Sequence, residues 1–498
     1  MKKLKYISAG VLAAFMLSFS SCDEFLDVNE NPNSPTEAPI AQVLTNATVN
    51  TGFRNGSDLH RFTSLIMQQF SGQAGPTIQT REYQRYLIQP SDLNNLYNAF
   101  YATALPDIEY VINNSEGSPR YTGIGRILKA YTYSQAVDVW GDVPFTEALQ
   151  GVANLSPKVD DDAAIYPELF KLIDQGIADI KTPAKASLLL PGANETIYRG
   201  DSLKWLKFGN TLKLRLFLKY SEKDPAFAKS QMDALIATGG PFMTSNADNF
   251  EMAFVDATAS QNPIHQFEVS RLNYTFPNKY LVDFMNEKVD PRRASYFTDF
   301  PYGSGQYKGA AAGDPESTNY SRLHTYLRGA LKGTITPRAD GGINANAAYN
   351  NAYTGSAPIR MLTFAEYNFI RAEHALRFGG GLAEATPFYQ AGIRASMTAA
   401  GVATAAQDAY ILANPLLAVN PLQQIIQEKY IANYGVALEP WNDWRRTGYP
   451  AITPVSSTIA ATDYIPRSLY YPEAETNSNT NFVQKPDMNV RVFWDTRQ

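Results

Sequence analysis

The side chains able to do acid–base, nucleophilic or metal chemistry are few and dispersed. Four histidines, His60, His265, His324 and His374, stand far apart and never form a helical pair. The chain has one cysteine, Cys22. If lipid consumes it, no Cys–His site remains for zinc binding or nucleophilic catalysis. No phosphate-binding glycine loop, serine nucleophile elbow or EF-hand loop occurs. Asp160, Asp161 and Asp162 form the densest acidic run. Such a run can ligate a structural calcium ion, but it stands just ahead of a helical pattern, where carboxylates favour the positive end of the dipole. Capping is therefore its expected role, and no cofactor is expected. Glu366 and Glu373 lie seven apart on one helical face, which reads as a solvated face rather than a glycosidase pair.

Cys22 has a different context. Lys2, Lys3 and Lys5 precede an apolar run from Ile7 to Phe19, and Ser20 and Ser21 lead into the cysteine. A basic head, a short apolar stretch and small residues make a secretory signal over 1–21. At about 13 residues the run falls short of the roughly 20 that span a bilayer. Small-small-Cys resembles a bacterial lipobox, with Phe19 where an aliphatic residue is more usual. Cys22 is thus expected to carry lipid, giving a membrane anchor. Residues 22–37 are polar, with prolines and asparagines, and read as a flexible tether.

The remaining chemical signal is aromatic. The chain carries 30 tyrosines, aromatics make up 12% of it and charged residues only 18%. An aromatic face can stack on a sugar ring or grip a peptide. Loop positions are the candidates: Tyr83, Arg85 and Tyr86 in one segment, and Tyr274 in a second. Phe300, Tyr302, Tyr307, Tyr320 and Arg322 belong to a third. A net charge of −5 and a pI near 5.6 argue against a nucleic-acid partner.

Helices must position these loops. Leu169, Ile173, Ile177 and Ile180 mark one amphipathic face, and Trp205, Phe208, Leu212 and Leu216 another that Asp201 or Ser202 can cap. Leu362, Ala365, Phe369, Ala372 and Leu376 form a third, stopped by Gly379–Gly381. Its partner begins near Glu384, with Phe388, Gly392 and Ala395 on one face. Residues 91–114, 118–139 and 419–435 also read as helices. Trp140-Gly141-Asp142-Val143-Pro144 predicts a sharp helix exit. Neighbouring helices with short connections suggest stacked hairpins of tetratricopeptide type, without a strict 34-residue period. Residues 71–90, 239–276 and 296–358 are inserted loops rich in Gly, Asn, Pro, Thr and Tyr. The expected fold is mainly α, a superhelical scaffold of tetratricopeptide-like helical hairpins with long inserted loops and minor β.

Motifs along the chain resemble those of the SusD/RagB family of nutrient-binding outer-membrane lipoproteins, the SusD-like subgroup in particular. They begin with Cys22 through Asn33 and continue with DVWGDVPFTEAL (Asp138–Leu149), DSLKWLKFGNTLKLRL (Asp201–Leu216) and DPRRASYF (Asp290–Phe297). LTFAEYNFIRAEHAL (Leu362–Leu376), YQAGIRASM (Tyr389–Met397), EKYIANYGVALEPWNDWRRTGYP (Glu428–Pro450), IPRSLYYPEAE (Ile465–Glu475) and VFWD (Val492–Asp495) follow in order. Residue by residue these motifs look structural. Trp441, Trp444, Arg445 and Arg446 read as packing the C-terminal part onto the scaffold, with cation–π stacking as the alternative.

The resemblance implies one helical domain over 38–498 holding four tetratricopeptide-like hairpins. It implies a non-enzymatic, surface-exposed lipoprotein of the outer membrane. Such proteins act as hinged lids on a SusC-type TonB-dependent transporter, delivering an oligosaccharide for carbohydrate uptake. A lid for peptides or another nutrient is the alternative, and a surface glycan hydrolase a remote one.

Overall fold

The computed structural model describes residues 38–497 apart from 73–77, 184, 186–188, 313, 315–317, 345 and 457–459. The signal segment, Cys22 and the 22–37 tether lie outside the described residues. The architecture is mainly helical, as the sequence periodicity predicts, with short strands that tie the loops down. The longer helices are α1 (Ile40–Gly56), α2 (Asp58–Ile66), α3 (Leu105–Asn113), α4 (Pro119–Trp140), α5 (Asp162–Lys181), α6 (Ser202–Leu218) and α7 (Pro225–Ala237). After them come α8 (Pro263–Ser270), α9 (Lys279–Glu287), α10 (Phe364–Phe378), α11 (Leu382–Ala399), α12 (Thr404–Ala413), α13 (Pro421–Ala432) and α14 (Glu439–Thr447).

Helix α4 opens on Pro119, whose missing N–H costs nothing in a first turn. It ends at Trp140 because Gly141 takes a φ of +75°, and Pro144 prevents resumption. Helix α5 returns antiparallel beside it. Gly123 and Gly176 lie at their crossing, and a Cβ on Gly123 would stand 2.6 Å from the Gly176 carbonyl oxygen. The predicted face of α5 is buried through Leu169, Ile173, Ile177 and Ile180, and that of α6 through Trp205, Phe208, Leu212 and Leu216. Asp201 caps α6 by accepting from the Lys204 N–H. Among the acidic run, Asp161 caps α5 through the Ala164 N–H at 3.1 Å. Asp160 instead accepts from the Phe145 and Thr146 N–H groups, and Asp162 from Phe493 N–H.

Helices α10 and α11 form the predicted later hairpin, with Gly392 making room for the Phe369 ring. Leu362, assigned to the α10 face by spacing, is the last residue of a strand; Thr363 caps the helix after it. Two antiparallel ribbons join distant segments. Strand β1 (Phe70–Gly72) pairs with β3 (Thr275–Pro277), and β2 (Phe250–Met252) with β4 (Ile359–Leu362). The segments read as loops hold short helices of their own, at Gln79–Gln84, in α8, and at Thr325–Arg328 and Ala347–Asn351.

The expectation for Glu366 and Glu373 is corrected: their side chains are 0% and 1% exposed. Arg215 holds Glu366 bidentately at 2.8 and 2.6 Å, and Lys429 lies 3.6 Å from it. Arg446 grips Glu373 and Asp443, and Arg377 adds a bond to Glu373 at 2.7 Å. Charges this deep persist only when paired; Arg377 lies one helical turn from Glu373, but Arg215, Lys429 and Arg446 lie too far along the chain for a helical repeat to reveal them. Burial alone would raise the Glu373 carboxyl, but the Arg446 and Arg377 guanidiniums outweigh it and hold it at about 2, against 4.5. Because the folded value is the lower one, this contribution is present above pH 4.5 and is lost as pH falls through about 2. Urea unfolding across that window should show a steeper loss of stability for the wild type than for Glu373→Gln. Equal slopes would remove Glu373 as a source of acid lability.

The Trp441–Arg446 segment does both jobs considered for it. Arg445 stacks 3.9 Å from the Trp441 ring and 4.8 Å from Trp494, while donating to the backbone oxygens of Asp138 and Arg467.

Candidate functional site

The three inserted segments, far apart in sequence, converge on the β1–β3 ribbon. Antiparallel register sets Ser71 opposite Phe276. Ser71 Oγ donates to the Ala310 carbonyl at 2.5 Å, and Asn278 Nδ2 donates to Ser71 Oγ at 2.8 Å. Ala310 also bonds the backbones of Pro277 and Lys279, so the third segment is laced to the ribbon edge. The Thr80 hydroxyl donates to the Tyr274 carbonyl at 2.6 Å, closing the first segment onto the second.

Phe276 is the hub. Its ring meets Tyr320 edge-on at 5.8 Å, and the Arg322 guanidinium lies 4.4 Å from its centre. Arg322 Nη2 donates to Asn273 Oδ1 at 2.6 Å, and Asn273 holds a φ of +62°, a left-handed turn that asparagine tolerates. That turn sets the direction of the neighbouring, half-buried Tyr274, which meets Phe267 edge-on at 6.0 Å. Lys308 Nζ lies 5.0 Å from the Tyr320 ring and 5.2 Å from Phe300. The exposed Lys308 ammonium beside the half-buried Phe300 ring can bond the hydroxyls around a flat apolar face stacked on that ring, while the buried Phe276, Tyr320 and Arg322 hold them in place.

The candidates therefore divide. Tyr320 and Arg322 meet at Phe276, Phe300 joins them through Lys308, and Tyr274 follows the Asn273 that Arg322 holds. Of these Tyr320 and Arg322 are buried, Arg322 at 1% exposure, and Tyr320 donates to Asp314 at 2.8 Å. Tyr83 and Tyr86, both 1% exposed, present no ring face to solvent. Tyr83 packs 4.4 Å from Phe62, and the Tyr86 hydroxyl accepts from Val455 N–H. Arg85 between them is half-buried, its carbonyl bonded to Ala461 N–H. Tyr302 joins a satellite cluster with Ile343, Tyr349 and Tyr353, and Tyr307 lies over Arg293, whose guanidinium is 5.1 Å from its ring. Phe267, stacked by Arg61 at 4.1 Å, and Lys308 were absent from the sequence candidates. Helix α8 lies within a stretch read as loop, which hid the periodicity that places Phe267.

Below Phe267 a cavity of about 20 Å³ separates α2 from α8, lined by His60, Glu268 and Thr275, enough for about one water. Burial, then the charge of Arg61, lowers His60 to about 3, and burial raises the Glu268 carboxyl. His265 falls to about 3 and His324 to about 4, each chiefly through burial, with Arg328 adding to it. Among the described residues no group of three or more His, Cys, Asp or Glu is placed to hold a metal ion.

A family model described as starch-binding, associating with the outer membrane, matches residues 32–472. The chain belongs to the SusD-like family. No curated protein matches it. Among solved structures, a chitin-binding protein is 24% identical with a TM-score of 0.77, covering 92% of this chain and 100% of its own. A chitin-binding SusD homolog from Flavobacterium johnsoniae is 22% identical with a TM-score of 0.73, covering 92% and 98%. A SusD-like protein from Bacteroides thetaiotaomicron is also 22% identical with a TM-score of 0.73, covering 92% and 99%. At these identities the likeness speaks for a SusD-like fold. The family is associated with the outer membrane, and among the described residues no helix is long and apolar enough to cross one.

Proposed function

We propose that this SusD-like chain captures a glycan on the three-segment face and passes it, as a hinged lid, to a SusC-type TonB-dependent transporter. Lipid on Cys22 would hold it at the outer membrane. The observation that carries the reading is the placement of Phe300 and Lys308 against the buried Phe276–Tyr320–Arg322 group, with Tyr274 beside the Asn273 that Arg322 holds. The family's own description is starch binding, and two similar structures are described as chitin-binding. Both polymers are chains of hexose rings with flat apolar faces rimmed by hydroxyls. Tyr274 and Phe300 would stack on such rings, with Lys308 and Arg85 bonding hydroxyls and Tyr302 and Tyr307 extending the face. Tyr83, Tyr86, Tyr320 and Arg322 would support it from behind.

Calorimetry against maltooligosaccharides, chitooligosaccharides and a peptide pool tests cargo and face together. A sugar should bind, and Tyr274→Ala with Phe300→Ala should weaken it about 10-fold or more, as expected for loss of two aromatic contacts. Unchanged affinity would remove this face, and binding of peptides alone would replace the cargo. Cys22→Ser should keep ligand binding in solution and disappear from the membrane fraction.

A further inference from the structure

A second recess shares no residue with the Phe276 face. It lies between the helical rod of residues 94–113, the turn of residues 148–157 and the short helix Glu473–Ser478, and has a volume of about 520 Å³, within the usual range for small-molecule sites.

Its walls combine two kinds of surface. Tyr97 and Tyr101 stack at 4.5 Å with 15° between their planes, and Tyr110 stands beside them in the lining. The hydroxyls of Tyr101 and Tyr110 are already spent on the carbonyls of Pro144 and Ala38, each at 2.9 Å. What these two tyrosines have left to offer is ring surface. Leu155, 78% exposed, adds an apolar edge.

Two carboxylates face the same space. Glu109 is neutralised by Lys129 at 2.6 Å. Glu475 is not: half-buried, it has no side-chain hydrogen bond or ion pair among the described residues. Burial raises its pKa, and its charge in turn helps raise the Tyr97 and Tyr101 hydroxyls.

An uncompensated carboxylate and electron-rich ring faces both attract positive charge. A neutral sugar would cover the rings and donate hydroxyls to Glu475 but leave its charge uncompensated, an acidic ligand would be repelled, and an ammonium meets both the rings and the charge. We infer that this recess binds an organic ammonium of amino-sugar size, its charge against Glu475 and its carbon skeleton against the tyrosine rings. The site is independent of the glycan-capturing face.

Titration of the full chain with glucosamine, N-acetylglucosamine and butylamine, followed by NMR shifts or calorimetry, tests this. Glucosamine should bind about 10-fold more tightly than N-acetylglucosamine. Glu475→Gln should abolish that preference without lowering the melting temperature, and Phe300→Ala should leave it intact. Butylamine binding as well as glucosamine would assign the site to ammonium groups in general, and weaker butylamine binding would assign it to amino sugars. Equal binding of the two sugars, no binding of glucosamine, or a preference surviving in Glu475→Gln would overturn the inference. So would a preference lost in Phe300→Ala, which would move it to the other face.

Discussion

Replacing Asp138 by alanine should lower folding stability by about 3–5 kcal/mol, the range for breaking a buried ion pair. Asp138 is 1% exposed and its carboxylate joins four elements. It accepts from Lys219, from the Tyr166 hydroxyl at 2.6 Å, from Asn442 Nδ2 at 3.0 Å and from Trp494 Nε1 at 3.1 Å. Among the described residues alanine would leave Lys219, itself 4% exposed, with Glu439 at 3.9 Å as its remaining carboxylate. The cost is the stranded charge more than the lost bonds. Asp138→Ala with Lys219→Met should therefore recover much of the loss. Urea unfolding followed by tryptophan fluorescence reads both values. A single-variant loss below about 1 kcal/mol, the scale of an exposed pair, would contradict the buried network.

The second large effect belongs to the α4–α5 crossing. Gly123→Leu should destabilise by about 3 kcal/mol or more, at the upper end for overpacking. The new Cβ would meet a backbone oxygen at 2.6 Å, the Ile180 side chain at 2.8 Å and Asp179 Cβ at 3.0 Å. A carbonyl on a packed helix cannot turn aside, so the helices must part. Gly209→Ala in α6 is the contrast. There the atoms nearest the Cβ would be side-chain carbons of Ile177 and Ile127, at 3.2 to 3.3 Å. Its gain in helix propensity, about 1 kcal/mol, should offset that squeeze and leave the midpoint nearly unmoved. Comparable losses in both variants would mean that the crossing is not specially tight.

The apolar periodicities of α5 and α6 were legible because each is local: burial follows directly from spacing along one helix. Glu366 and Glu373 were misread for the converse reason. A glutamate on a helix looks the same whether it faces water or Arg215, 151 residues away. The candidate face was legible in outline only as three Tyr-rich segments, which the structure brings together. Which rings face solvent was not. Tyrosine packs well by its ring while its hydroxyl finds a bond, so Tyr83 and Tyr86 could turn inward without leaving a polar atom stranded. Glu475 gave no signal either, because a carboxylate without a partner is defined by what surrounds it in space.

The segment after Ile465 folds back over the exit of α4. Leu469 N–H bonds the Val139 carbonyl, Lys485 Nζ donates to the Trp140 carbonyl at 2.5 Å, and Trp494 reaches Asp138 across 356 positions. In a chain emerging from its N-terminus, the Asp138 centre must wait for Trp494 before its bonds are complete. Contacts of such separation are slow to form. The packing of the first hairpins thereby depends on the last residues of the chain, so that the stability of the N-terminal half is shared with the C-terminal segment.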